Sequence, residues 1–235
     1  MFGIHKAGMT SHKIIGRMVA LCVLALLCLL VVPCLRAETP PEAVVVAAEK
    51  GLARYLNAIP ENQLEDFGFT NKEEFAGTTI GSPFRVYIIP ATQILSFKDG
   101  DDLCSLIMPT SLWLCPVICS GRARVLLNVD LMGGEWRAVG LSASYLASEM
   151  EGVAGYLAKF EGYERKYVRV YQAGSEFVLM SRDKECRLIP LRSAALVLGL
   201  ARKGETYEYG TIAPSEAISR LAPIVKKNLG AWQQR

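Results

Sequence analysis

The sequence predicts an α+β fold: an antiparallel sheet, made of a meander plus a hairpin, with helices packed on one face. Three observations carry this prediction. Apolar segments with the length and alternation of strands dominate the middle of the chain. The turns between them are too short for parallel crossover connections. Helical patterns stand before, between and after the groups of strands, and this order is typical of the α+β class.

The first 37 residues have the layout of a secretory signal peptide. Basic residues precede an uncharged apolar run at 18–33, and no acidic residue occurs before Glu38. The run has 16 residues, fewer than the roughly 20 that span a bilayer, which favours cleavage over the alternative of a signal anchor. We therefore expect a leader at 1–37 and a single α+β domain at 38–235. That domain is expected to be extracytoplasmic, either periplasmic or secreted, and held at the membrane only if the leader stays uncleaved.

The basic charge of the chain belongs to the leader. The full sequence has 26 Lys and Arg against 23 Asp and Glu, a formal net charge of +3. Four of the basic residues lie in the leader, which leaves 22 against 23 in the predicted domain. No cluster of Lys and Arg with interleaved aromatics occurs in that part of the sequence, so nucleic acid is not an expected partner.

Helical patterns flank the predicted strands. Apolar residues three and four positions apart predict an amphipathic helix at 42–59 and a second helix at 144–160. A third pattern follows Pro214, and Pro223 is expected to kink or restart that helix because proline lacks a backbone N–H. The segment 193–200 fits either a helix or a strand.

The predicted strands fall into two groups on either side of the helix at 144–160. The first group forms the meander: 84–91, 93–97, 104–109, 112–119, 124–131 and 136–142. The second group forms a hairpin and one further strand: 166–172, 176–182 and 186–191.

Histidine occurs only in the predicted leader, as His5 and His12. If the leader is cleaved, Ser–His–Asp and Cys–His catalysis are excluded, as are zinc sites built on imidazole. Carboxylates remain as catalytic groups, but the sequence places no two of them so that they converge. We therefore favour a protein without enzymatic activity, expect no hydrolytic or redox turnover in the isolated domain, and identify no catalytic residue, metal site or cofactor.

Cysteines supply the candidate disulfides, at Cys104, Cys115, Cys119 and Cys186. The motif "CPVIC" at 115–119 has three residues between its cysteines, whereas a thioredoxin-type site has two. On a strand these two side chains point the same way about 13 Å apart, too far for a disulfide. We expect them not to bond each other and not to be reactive thiols. Each is either a buried apolar side chain or a partner of Cys104 or Cys186, and an exported chain favours at least one bridge.

Tyr167, Arg169 and Tyr171 form the candidate binding face. They alternate with two valines on one predicted strand, so the three side chains share a face. Tyr and Arg are enriched at binding hot spots, while packing in the core is the competing interpretation. The function we expect is a non-enzymatic binding or accessory module for an unknown protein or small ligand. The alternatives are a carboxylate-based hydrolase and a structural component of the cell envelope.

Cleavage of the leader near Ala37 is the first testable prediction, motivated by a short apolar run behind a basic segment. Mass spectrometry of the exported protein should show a chain that begins close to Glu38. An exported species that retains Met1 and fractionates with membranes would show that the segment is a signal anchor.

Overall fold

The computed structural model describes residues 38–142, 144–183 and 185–233. The predicted leader at 1–37 lies outside the described residues. A mostly antiparallel sheet with helices packed against it organises the described part of the chain, which confirms the predicted α+β class.

The helices of the described residues are α1 (Glu42–Asn57), α2 (Ala91–Ser96), α3 (Leu103–Leu106), α4 (Ser144–Leu157), α5 (Arg192–Val197) and α6 (Pro214–Gln233). The strands are β1 (Thr79–Ile80), β2 (Phe84–Ile88), β3 (Met108–Cys119), β4 (Arg122–Met132), β5 (Glu135–Ser142), β6 (Glu164–Val170), β7 (Ser175–Arg182) and β8 (Glu185–Pro190). Short 3₁₀ turns occur at Glu61–Gln63, Glu65–Phe67, Lys72–Gly77 and Tyr171–Ala173.

The sheet consists of two antiparallel halves joined by one parallel pair. The strand order is β5-β4-β3-β2-β6-β7-β8, with β1 paired to β3. Strands β2 to β5 form a meander that runs to one edge, and the chain then returns through α4 to the centre of the sheet. There β6 pairs in parallel with β2, and β7 and β8 continue to the other edge. The long connection between β2 and β6 satisfies the length that a parallel pair requires.

Two predicted strands are wrong. The segment 93–97 lies mostly in α2, and 104–109 is divided between α3 and the start of β3. Pro90 is the N-cap of α2, and the Asp102 side chain caps α3 by accepting a hydrogen bond from the backbone N–H of Cys104 at 2.9 Å. Apolar runs this short do not show a period, so local capping and contact with the core decide their structure.

Helices cover both faces of the sheet, which differs from the single covered face that we predicted. On one face α1 packs over β3 and β4, and α6 packs over β6 and β7. On the other face α4 packs against the same central strands. Within β3, Trp113 and Cys115 point toward α1, while Leu114 between them points toward the face that α4 covers. Strands that are apolar on both sides need two covers, as the near-continuous apolar runs of β3 and β4 indicate.

The last helix is continuous through Pro223, so the predicted kink or restart does not divide it: α6 extends over Pro214–Gln233. Ile218, Leu221 and Val225 line its buried face. Pro223 lies on the exposed side, where water can reach the carbonyl that loses its helical partner. No helix in the described part of the chain combines the length and the apolar composition needed to cross a membrane.

Helix α1 packs closely on strand β5 because Gly51 of the helix faces Ala138 of the strand. The hydroxyl of Tyr55 donates a hydrogen bond to the carbonyl oxygen of Ala138 at 2.9 Å. A Cβ placed on Gly51 would lie 2.2 Å from the Cβ of Ala138, well inside van der Waals contact. Gly51 therefore sets the distance between the helix and the sheet.

Two glycine substitutions test this close approach. Gly155 in α4 is exposed, and an added Cβ would meet no atom within 4 Å. Gly155→Ala should raise the free energy of unfolding by about 0.5–1 kcal/mol, because alanine favours the helix. Gly51→Ala should lower it by about 1–3 kcal/mol, because the methyl group forces α1 away from β5. Urea unfolding of both variants measures the two changes, and a stabilised Gly51→Ala variant would contradict the packing.

Candidate functional site

A buried carboxylate, Glu176, organises the hairpin that carries the predicted binding residues. Glu176 lies on β7 opposite Arg169 of β6 and is only 6% exposed. Its Oε1 accepts hydrogen bonds from Arg169 Nη2 at 2.8 Å, Arg169 Nε at 3.1 Å and the Tyr167 hydroxyl at 2.5 Å. Its Oε2 accepts one from the Ser193 hydroxyl at 3.3 Å. A buried charge is tolerated only when it is paired and hydrogen-bonded in this way.

The three predicted binding residues have three different environments. Tyr167 is buried and packs edge-on against Phe84, so it belongs to the core. Arg169 is partly buried, and its guanidinium lies 5.6 Å from the ring centroid of Tyr167. Tyr171 follows the end of β6 in a 3₁₀ turn and is 54% exposed, with its ring centroid 5.5 Å from the same guanidinium. Only Tyr171 and the outer side of Arg169 are therefore accessible to a partner.

The raised pKa of Tyr167 fixes its role in this cluster as a hydrogen-bond donor. Burial raises the pKa of its hydroxyl well above the ordinary value, and the charge of Glu176 raises it further. Tyr167 therefore stays neutral and donates its proton to the Glu176 carboxylate. Arg169 is thus bonded to an acceptor that is itself hydrogen-bonded to Tyr167 and Ser193.

Helices α4 and α5 complete the surroundings of the cluster. Tyr145, in the first turn of α4, is 61% exposed, and its pKa is raised by partial burial and by the nearby charge of Glu176. Glu149, one turn later, accepts a hydrogen bond from the backbone N–H of Arg192 at the start of α5. Burial raises the pKa of Glu149. The cluster thus bonds the hairpin to α5 through Ser193, and α5 is bonded to α4 through Glu149. Tyr171 is left exposed against Arg169, and exposed Tyr145 lies near enough for the charges of Glu176 and Arg169 to shift its pKa.

Glu176 is the residue that the sequence analysis missed. It is the second residue of β7, in which every residue from Ser175 to Met180 is buried. A single glutamate at the start of an apolar run was the available signal, since a buried acid requires a cationic partner. The strand register then supplies that partner, because Glu176 and Arg169 are directly opposite each other.

The cysteines of "CPVIC" are core residues. Cys115 and Cys119 lie on β3, as predicted, and both are buried beneath α1. Burial raises the pKa of Cys115 to about 12, so this thiol is not a nucleophile at neutral pH. Cys119 Sγ lies 3.7 Å from the carbonyl oxygen of Glu74 as a hydrogen-bond donor.

Cys104 and Cys186 both line a surface pocket of about 600 Å³. Cys104 lies on α3, and Cys186 lies on β8 opposite Ser181 of β7. Both are partly exposed free thiols. Interaction with Cys186 lowers the pKa of Cys104, and interaction with Cys104 raises the pKa of Cys186. Charged residues surround them in the pocket: Asp101, Asp102, Glu164, Lys166, Asp183 and Glu185.

Among the described residues, no group of three or more His, Cys, Asp and Glu side chains is arranged to hold a metal ion. Comparisons with protein-family models, curated proteins and solved structures give no match to this chain. The functional argument therefore rests on the geometry of the cluster around Glu176 and of the cysteine pocket.

Two glutamates with equivalent partners provide a test of the buried cluster. Glu176 bonds Tyr167 and Arg169 in the interior, and Glu185 bonds Tyr163 and Arg187 at the partly exposed edge of the sheet. Glu176→Gln should lower the free energy of unfolding by about 3 kcal/mol, because it leaves the largely buried Arg169 guanidinium without its counter-charge.

Glu185→Gln serves as the matched control and should have a much smaller effect, because water screens an exposed pair. Urea unfolding at neutral pH measures both variants. An equal decrease in the free energy of unfolding for both variants would show that burial does not make the Glu176 interactions more stabilising than those of Glu185.

Proposed function

We propose that this chain is an extracytoplasmic, non-enzymatic accessory domain that binds a protein partner through Tyr145, Arg169 and Tyr171, here called the tyrosine surface. The observation that carries the proposal is an exposed tyrosine, Tyr171, against an arginine that Glu176 holds in place, with exposed Tyr145 close enough to feel the same charges. Tyr and Arg dominate binding hot spots, where a rigid aromatic ring loses little entropy on contact.

Preorganisation favours this surface over other exposed residues. Arg169 makes three hydrogen bonds to Glu176 and Tyr167, so its long side chain is already ordered before any partner arrives. Tyr171 stacks on the ordered guanidinium. Ordering a flexible side chain on binding costs about 0.5–1.5 kcal/mol, and this surface avoids that cost for Arg169.

Exposure of the two rings favours a protein over a small ligand. Tyr145 and Tyr171 keep 61% and 54% of their surface accessible, whereas small-ligand sites enclose most of the ligand. The partner that fits is a protein segment that covers both rings and offers oxygen acceptors to the outer side of Arg169. Export of the chain, supported by the leader pattern at 1–37, would place the interaction outside the cytoplasm.

A carboxylate-based hydrolase has less support. Of the two carboxylates in the cluster, Glu176 uses both oxygens to hold Arg169, Tyr167 and Ser193. Glu149 holds the backbone of α5. A general acid or base must reach the substrate, and both of these groups are already occupied by the protein itself.

Site-specific crosslinking tests the tyrosine surface. A photo-crosslinking residue at position 171 should capture a partner in the exported compartment, and the same residue at exposed Met132 should not. With the captured protein purified, Tyr145→Ala and Tyr171→Ala should each weaken binding by at least about tenfold, because hot-spot side chains contribute about 2 kcal/mol or more.

Met132→Ala is the control variant for affinity, and thermal unfolding should show all three variants folded. Equal affinity of the tyrosine variants and the wild-type chain would refute the proposal. Crosslinking that is as strong from position 132 as from position 171 would refute it as well.

A further inference from the structure

The end of the β4–β5 hairpin leaves apolar side chains uncovered. Every residue from 131 to 135 is exposed, and Leu131 and Met132 keep 43% and 51% of their surface accessible. Met108 is 52% exposed at the start of β3, which lies at the same end of the sheet because β3 and β4 are antiparallel. Met108, Leu131 and Met132 are here called the apolar end. Exposed apolar groups of this kind mark sites of contact with proteins or membranes.

The rest of the hairpin end suits the boundary between lipid headgroups and acyl chains. The turn consists of Gly133 and Gly134, with φ of 61° and 85°, so no side chain projects beyond the two strands. Glu135 and Arg137 pair at 2.6 Å, and their charges therefore compensate each other. Trp136 lies opposite Leu131, and tryptophan is enriched where proteins meet lipid headgroups.

Glu38 fixes the place at which the preceding segment joins the fold. Its carboxylate forms an ion pair with Arg85 Nη1 at 2.7 Å and accepts a hydrogen bond from the Tyr87 hydroxyl. Both partners belong to β2 in the centre of the sheet. The chain therefore enters the domain at a defined point.

Strand register places this point close to the apolar end. Arg85 of β2 pairs with Trp113 of β3, which pairs with Val129 of β4. Leu131 is two residues farther along β4. Two strand spacings and two residue steps amount to about 12 Å between the Cα atoms of Arg85 and Leu131.

The predicted leader identifies the partner as a membrane. Its apolar run ends at residue 33, and only residues 34–37 separate that run from Glu38. A chain of this length spans at most about 17 Å when it is fully extended. A bilayer that holds the run, during export or as a signal anchor, is therefore within reach of the apolar end. This step rests on the leader pattern, whereas the exposure of the apolar end does not.

We propose that the apolar end contacts the surface of the membrane across which the chain is exported, with Met108, Leu131 and Met132 among the headgroups and upper acyl chains. This contact with lipid is a second interaction, beyond the protein contact proposed for the tyrosine surface. A short apolar tip gives reversible contact, because membrane affinity scales with the apolar area that is buried.

Photo-labelling from lipid tests the contact. The exported protein, in whichever N-terminal form it is isolated, is combined with phosphatidylcholine vesicles that carry a diazirine on the acyl chain, and peptide mapping locates the label. We expect label at Met108 and at 131–132. Leu196 and Leu200 are similarly exposed beside β7 and β8, at the other edge of the sheet, and should stay unlabelled. Label that is confined to positions before Glu38, or that is equally strong at Leu196 and Leu200, would overturn the proposal.

Paired variants measure the contribution of the side chains. Leu131→Gln combined with Met132→Gln should reduce labelling at 131–132 at least about tenfold, because the tip loses its apolar area. Leu196→Gln combined with Leu200→Gln is the matched control and should label like the wild-type chain. Thermal unfolding should show both variants folded, since all four side chains are exposed.

Sedimentation without vesicles tests the competing occupant, a second copy of the chain. We expect a monomer with and without the substitutions at 131 and 132. A dimer that these substitutions abolish would show that the apolar end is covered by protein, and the membrane contact would be wrong. The label map of the wild-type chain decides the question even if a variant fails to fold.

Discussion

Burial of the central strands on both faces is the constraint on which the rest of this structure depends. Strands β3, β4 and β7 carry apolar side chains on both sides, so neither face of the sheet can be left to water. Helices α1 and α6 cover one face, and α4 covers the other. Because α4 must cross the opposite face between β5 and β6, it also carries the chain back to the centre of the sheet. The parallel pairing of β2 with β6 follows from that crossing.

The same constraint explains the cluster around Glu176. Among the described residues it is the one charged residue in the buried interior, with 6% of its surface exposed, and it lies on a strand that is covered on both faces. Without water, its charge has to be neutralised by neighbours that the strand register and the helices supply. Arg169 comes from the paired strand and Ser193 from α5. The fixed positions of the Arg169 and Tyr171 side chains at the surface are thus a consequence of the buried acid, Glu176.

The fold class, β3 to β8 and the three long helices could be predicted, because each long segment shows a clear hydrophobic period. Segments 93–97 and 104–109 could not, since runs of five or six apolar residues show no period and are decided by capping and core contacts. At the site, alternation correctly placed Tyr167 and Arg169 on one face of β6. The pairing of Glu176 with Arg169, and the presence of Cys104 and Cys186 in one pocket, depend on contacts between separate elements. Contacts between elements that are distant along the chain cannot be predicted from the hydrophobic pattern of a single sequence.

The cysteine pocket and the cluster around Glu176 lie on opposite faces of the hairpin formed by β6 and β7. Lys166 and Ser181 point toward the face covered by α6 and line the cysteine pocket, while Tyr167, Arg169 and Glu176 point toward the face covered by α4. The period of two along a strand keeps the two sets of side chains apart. They also occupy opposite ends of the hairpin, since Arg165 pairs with Met180 near one end and Arg169 with Glu176 near the other. A change in the cysteine pocket can therefore leave the packing that orders Arg169 intact.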